Sequence, residues 1–107
     1  RRDFIHVRDV ARANVAALTA GADVTGPFNV SSGQPATLLE MAEALAEAHG
    51  GGLRPDVVGG YRLGDVRHVT ASAERAASEL GFRAEIGLAA GMTEFAHATL
   101  RRPPRRR

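Results

Sequence analysis

Residues 37–52, TLLEMAEALAEAHGGG, form the best-specified element of this chain, because they predict one complete helix with both of its ends. Thr37 and Glu40 have the spacing of a capping box, in which each side chain accepts a hydrogen bond from the other residue's backbone amide. The triple glycine at 50–52 predicts the end of the helix. Between these signals, apolar residues recur at helical spacing and form one face: Leu38, Leu39, Ala42, Leu45 and Ala46.

A second helix is predicted near the start of the chain. Asp9 is placed to cap it, because its carboxylate can accept amide protons from the first turn. Gly21 is expected to stop it. The apolar stripe of this helix, interrupted by one amide, is formed by Val10, Ala11, Asn14, Val15 and Leu18.

Two further helices are predicted in the last third of the chain. Ser72 can cap a helix over about 73–80, and a left-handed Gly81 followed by Phe82 predicts its end, with the phenyl ring folded back on the last turn. The last helix is expected over about 88–101. Its predicted buried face contains Leu88, Met92, Phe95 and either Thr99 or Leu100.

Three short runs have the composition of strands. Phe4, Ile5 and Val7 form a β-like run, residues 27–30 (PFNV) resemble a strand buried on both faces, and residues 56–58 (DVV) are a weaker candidate. So few strands cannot make a sizeable sheet. We therefore predict an α/β fold that is mainly helical, with a few short strands that join a sheet supplied by other residues.

Composition excludes several classes of function. The 107 residues include no cysteine, and all 14 basic residues are arginine. Thiolate metal sites and lysine chemistry are therefore excluded from this chain, and the lack of cysteine fits a reducing cytoplasm. Residues 1–100 hold nine arginines against twelve acidic residues, a net charge of −3. We expect the basic tail at 101–107 to be disordered and solvated, and the net negative charge of residues 1–100 argues against nucleic acid as a partner.

Known catalytic motifs are missing from the sequence. The four histidines lack the close spacing of a zinc site, no serine stands in a nucleophile elbow, and no glycine-rich loop opens a helix to bind phosphates. No apolar run is long enough to span a bilayer, and no signal-like segment is present. We predict a soluble chain without a metal site or a catalytic residue of its own.

Anion recognition by arginine is the chemistry that remains. Arg2 stands before an apolar run, and Arg62 lies in a glycine-rich loop with Asp65 three residues later. Guanidinium groups bind phosphate oxygens in a bidentate manner, and a carboxylate can accept hydrogen bonds from ribose hydroxyls. These residues suggest a nucleoside diphosphate. The alternative is that Arg62 and Asp65 pair with each other or with solvent.

Three blocks carry a family resemblance in this order: RDFIHVRDVARA, FNVSSGQPATLLEMAEALAEA and RLGDVRHVTASAERAASELGF. Over about residues 1–100, they resemble the C-terminal part of the NAD-dependent epimerase/dehydratases, the extended short-chain dehydrogenases that act on nucleotide sugars. The resemblance implies that Arg2 and Arg62 contact the substrate diphosphate, that Phe4 lies beside Arg2, and that Asp65 contacts ribose. It assigns capping and packing roles, and no ligand, to Asp9 and Asn29.

The chain departs from the family in ways that limit its chemistry. The glycine fingerprint for NAD and the Tyr-x-x-x-Lys catalytic pair lie upstream in the family, and neither is present here. Leu63 stands where proline is frequent, and Ser72 stands where aspartate is usual. The resemblance implies that NAD acts in the complete enzyme, that this chain alone binds no cofactor and is inactive, and that the complete enzyme is a homodimer.

Two hypotheses about function follow. In the first, residues 1–100 are the part of an epimerase or dehydratase that binds a nucleoside diphosphate sugar, and the missing partner is an upstream Rossmann domain. In the second, the chain is a free-standing module that binds nucleotide sugars or mediates dimerisation without catalysis.

Overall fold

Four helices dominate the computed structural model, which describes residues 1–102. They are α1 (Val7–Leu18), α2 (Leu38–His49), α3 (Glu74–Leu80) and α4 (Leu88–His97). Helix α1 packs on α3, and α2 packs on α4. The prediction of a mainly helical chain is confirmed. No helix among the described residues has the length and apolar character required to cross a membrane.

Helix α2 forms as its end signals predict. The Thr37 hydroxyl accepts a hydrogen bond from the Glu40 amide at 3.0 Å, and the Glu40 carboxylate accepts one from the Thr37 amide at 2.6 Å. The helix ends at His49, immediately before the triple glycine. Ala42, Leu45 and Ala46 are partly buried, but Leu38 and Leu39 stay exposed.

Helix α3 holds the small core of the described residues. Gly81 has a φ of 65°, in the left-handed region that favours glycine, and the Phe82 amide donates to the Ala76 carbonyl at 3.1 Å. Phe82 is buried against Ala76 and Ala13 of α1. The predicted end of this helix is confirmed. Ser72 is not the N-cap as predicted: Ala73 occupies that position, and the Ser72 hydroxyl, one residue earlier, accepts from the Glu74 amide at 3.3 Å.

No strand forms within residues 1–102. Val7 belongs to α1, and residues 27–30 and 56–58 pair with no other strand. The only ladder contacts there are two isolated bridges, from Arg2 to Ala36 and to Val69. A strand requires a neighbour to satisfy its backbone groups, and this part of the chain supplies none. The α/β architecture is therefore absent from the described residues.

Helix α1 is oriented opposite to the expectation. Val15 and Leu18 of the predicted apolar stripe are exposed at 59% and 85%, whereas Asp9 and Ala13 on the other side of the helix are buried. Asp9 is not the cap: His6 occupies that position, and its Nδ1 accepts from the Arg8 amide at 3.0 Å. The side of α1 that carries Asp9 and Ala13 faces the core, and Asp9 makes buried hydrogen bonds there.

Helix α4 is shorter than predicted. It ends at His97, and Phe95 and Leu100 of its expected buried face are exposed, although Leu88 and Met92 are partly buried. The predicted disordered tail at 101–107 lies mostly outside the described residues.

Candidate functional site

Arg2 and Asp65, 63 positions apart, meet in the folded chain. The Arg2 Nη2 donates to the Asp65 Oδ1 at 2.6 Å, and both side chains are partly exposed. The backbone of Arg2 exchanges two hydrogen bonds with Ala36, at 2.8 and 2.9 Å, and the Val69 amide donates to the Arg1 carbonyl at 2.9 Å. Residues 1–2 therefore lie between two other segments, which fixes the position of the Arg2 side chain.

Residues 62–65 form a tight turn beside Arg2. The Asp65 amide donates to the Arg62 carbonyl at 3.2 Å, and Gly64 has a φ of 82°. A positive φ at the third position alone is the geometry of a type II turn, which glycine adopts without strain. Arg62 is exposed at the first position of this turn. The structure thus brings Arg2, Arg62 and Asp65 into one region, and Asp65 pairs with Arg2 rather than with Arg62.

Phe4 lies on a different hollow from Arg2. The hollow beside Arg2 measures about 260 Å³ and includes Ile5, Val30 and Val69. Phe4 instead lines a hollow of about 120 Å³ with Ser32 and Ile86. Phe4, which the family resemblance places beside Arg2, therefore does not line the hollow beside Arg2.

Asp9 makes long-range contacts that the sequence analysis, which assigned it a capping role, did not predict. Its carboxylate is fully buried and accepts hydrogen bonds from Arg12 Nη2 at 2.8 Å, from the Ile86 amide at 3.0 Å and from the Glu85 amide at 3.2 Å. Burial alone would raise the pKa of Asp9, but these hydrogen bonds lower it below its ordinary value. Hydrogen bonding to Asp9 also raises the pKa of Arg12. Asp9 thereby ties α1 to the segment that leads into α4.

Arg75 of α3 holds the segment 25–28 in place. Its Nη1 and Nη2 donate to the carbonyls of Pro27 and Thr25, both at 2.6 Å, and its guanidinium lies 4.3 Å from the centre of the Phe28 ring. Nε donates to Glu79, one helical turn away. The only sequence signal for this role is the four-residue spacing of Arg75 and Glu79. It indicates an ion pair within one helix and does not identify the carbonyl groups that Arg75 contacts.

The described residues offer no place for a metal or for NAD. No group of three or more histidine, aspartate or glutamate side chains there is arranged to hold a metal ion. The chain contains no lysine and no glycine fingerprint that opens a helix. The residues present therefore do not fit the nicotinamide cofactor that the family resemblance implies.

Comparison with known proteins identifies the relatives of this chain. The dTDP-L-rhamnose 4-epimerase of Burkholderia thailandensis is 38% identical over 94 residues, which cover 88% of this chain and 26% of the relative. UDP-glucose 4-epimerase 2 of Arabidopsis thaliana is 38% identical over 90 residues, 81% of this chain and 25% of the relative. This chain is a relative of the nucleotide-sugar 4-epimerases. The family resemblance predicted from the sequence is confirmed.

Longer relatives show the same pattern of coverage. The bifunctional protein gal10 of Schizosaccharomyces pombe is 32% identical over 108 residues, 95% of this chain and 15% of the relative. No family model matches the chain. This chain therefore spans about a quarter of the length of the first two relatives, and less of the third.

Proposed function

We propose that this chain is the part of a nucleotide-sugar epimerase or dehydratase that binds the nucleoside diphosphate of the substrate. One observation carries the proposal: the ion pair between Arg2 and Asp65 brings the 62–65 turn beside Arg2. Two arginines that are distant in sequence then lie in one partly exposed region, next to a carboxylate.

The chemistry of these side chains suits a pyrophosphate. Asp65 engages only one nitrogen of the Arg2 guanidinium, so the remaining N–H groups can donate to phosphate oxygens. Arg62 adds a second, exposed guanidinium from the neighbouring turn. The second carboxylate oxygen of Asp65 is available to accept from a ribose hydroxyl. The relatives act, by their names, on dTDP-L-rhamnose and UDP-glucose, which makes sugars of these two nucleotides the substrate class to test.

The proposed role is limited to substrate binding. Proton and hydride transfer belong to residues outside this chain, because the chain has no Tyr-x-x-x-Lys pair and no NAD fingerprint. NAD, when bound by the complete enzyme, supplies the redox chemistry. We further propose that the complete enzyme works in the cytoplasm as a homodimer. A free-standing binding module remains the alternative, and it requires that the isolated chain bind nucleotide sugars by itself.

A chimera provides the test. This chain replaces the matched 94 residues of the Burkholderia thailandensis relative, and calorimetry measures the binding of dTDP and UDP sugars. Hydrogen bonds to charged groups contribute about 1.5–3 kcal/mol each, so Arg62→Ala is expected to weaken binding roughly 10- to 100-fold. Arg54→Ala, which removes another exposed arginine outside the proposed site, is the matched control and should leave the affinity unchanged.

The outcomes separate the hypotheses. Equal affinities for Arg62→Ala and Arg54→Ala in a folded chimera would remove Arg62 from the site. Binding by the isolated chain with the affinity of the chimera would favour the free-standing module.

A further inference from the structure

Four arginines lie together around the candidate site, and we call them the arginine cluster: Arg1, Arg2, Arg62 and Arg67. The Val69 amide donates to the Arg1 carbonyl at 2.9 Å, and the Arg2 guanidinium donates to Asp65 at 2.6 Å. Arg67 stands two residues from both Val69 and Asp65, so its Cα lies within about 7 Å of each. Arg62 and Asp65 are the two ends of one turn, whose Cα atoms are less than about 7 Å apart.

The region of the arginine cluster is electropositive, although the rest of the chain is acidic. The four arginines and the neighbouring carboxylates of Asp3 and Asp65 give this region a net charge of +2. The other five arginines and ten acidic residues of residues 1–100 give a net charge of −5. A charge distribution of this kind attracts an anion to one region of the surface and repels it from the remainder.

Three members of the cluster are not neutralised by a carboxylate. Within residues 1–102, Arg1, Arg62 and Arg67 form no ion pair, whereas Arg2 pairs with Asp65. All three side chains are exposed. Exposed charges contribute little to the stability of a fold. Their field extends into the solvent, where it acts on an approaching anion over about 10 Å at 0.1 M ionic strength.

We propose that Arg1 and Arg67 steer the anionic substrate toward Arg2 and Arg62 and so raise the rate of its association. A nucleoside diphosphate sugar is a dianion, and charges at the rim of a site act mainly on the association rate and on its salt dependence. Arg2 and Arg62 supply the donors to the phosphates, whereas Arg1 and Arg67 flank them and act through their field. The inference rests on the proposed function and deepens it, because it names residues that control how fast the same site takes up its substrate.

Association kinetics at two ionic strengths test the proposal. Stopped-flow fluorescence measures the binding of a UDP-hexose, labelled with an uncharged fluorophore on the hexose, to the chimera with the Burkholderia thailandensis relative. At 10 mM ionic strength, Arg67→Gln should lower the association rate constant roughly two- to fourfold, the effect of removing one charge about 10 Å from a dianion in water. In 1 M salt the Debye length is about 3 Å, so the variant and the wild type should associate at the same rate. The dissociation rate constant should not change.

Arg54→Gln is the matched control. It removes the same charge from another exposed arginine, which lines a different hollow at the end of α2. The variant therefore has the net charge of Arg67→Gln but keeps the arginine cluster intact. We expect its association rate constant to equal that of the wild type at both ionic strengths.

Three results would overturn the proposal. The first is an equal association rate constant for Arg67→Gln and Arg54→Gln at 10 mM ionic strength. The second is a loss in Arg67→Gln that persists in 1 M salt. The third is faster dissociation from Arg67→Gln, which would make Arg67 a direct phosphate contact. Binding that depends on Arg62 but not on Arg67 would refute steering alone, whereas a folded chimera that binds no UDP-hexose would refute the proposed function and steering with it.

Discussion

At the scale of single residues, Asp9 shows how one buried carboxylate determines the orientation of a helix. The apolar stripe of α1 faces outward because Asp9, on the opposite side, accepts hydrogen bonds from Arg12 and from the amides of Glu85 and Ile86. A buried carboxylate without these donors would be strongly destabilising. The hydrogen bonds therefore keep the side of α1 that carries Asp9 and Ala13 toward the core.

Replacing Asp9 should destabilise the fold. In Asp9→Asn the amide group presents N–H donors to backbone amides that need an acceptor, and the charge opposite Arg12 is lost. We expect the free energy of unfolding to fall by about 1–3 kcal/mol, measured by urea denaturation of the chimera with circular dichroism. Asp56→Asn, the same change at an exposed position, should have little effect. Equal stability of the two variants would show that Asp9 does not hold α1.

The pKa of Asp9 sets the direction of the pH dependence. Because folding lowers this pKa, the stability that Asp9 contributes is fully present above its ordinary value of 3.8 and is lost as the pH falls further, through the folded pKa. The difference in unfolding free energy between wild type and Asp9→Asn should therefore shrink below about pH 4. A difference that is constant from pH 7 to pH 3 would contradict this assignment.

At the scale of elements, local signals predicted the structure well and long-range partners were missed. The capping box of α2 and the left-handed Gly81 of α3 depend on neighbours within a few residues, so the sequence contains all the information. The position of Asp9 and the carbonyl partners of Arg75 depend on segments 48 to 77 residues away. The three runs with strand composition form no strands here, because strands require neighbours that residues 1–102 do not provide.

The candidate site likewise combines a local feature that the sequence predicts with a long-range contact that it does not. The Arg62–Asp65 turn was predictable from its spacing and its glycine. The ion pair between Arg2 and Asp65 was not predicted, because no local pattern links positions 63 residues apart and the family resemblance assigned the two residues to different groups of one substrate. Neither the local sequence pattern nor the family resemblance predicted that Phe4 lies away from the hollow beside Arg2.

The 62–65 turn offers a test at this scale. Leu63 occupies the second position of a type II turn, where proline is favoured because its ring fixes φ near the required value. Leu63→Pro should therefore preorganise Arg62 and Asp65 and contribute about 0.4–1 kcal/mol. We expect roughly two- to fivefold tighter binding of a UDP sugar to the chimera by calorimetry. Leu63→Ala is the control, and binding no tighter than in that variant would contradict the turn assignment.

At the scale of the whole molecule, the described chain consists of locally well-specified helices with too little core. Its radius of gyration is 17.1 Å, and Val7, Val15 and Leu18 on the outward side of α1 are exposed.

The central claim is that guanidinium groups of this chain bind the phosphates of a nucleotide. Calorimetric titration of uridine, UMP and UDP into the chimera tests it most directly. The account predicts that the affinity rises at least tenfold from uridine to UDP, since each hydrogen bond between arginine and phosphate contributes about 1.5–3 kcal/mol, and that the double variant Arg2→Ala, Arg62→Ala abolishes most of this rise. Equal affinity for uridine and UDP, or a rise that survives the double variant, would contradict the account.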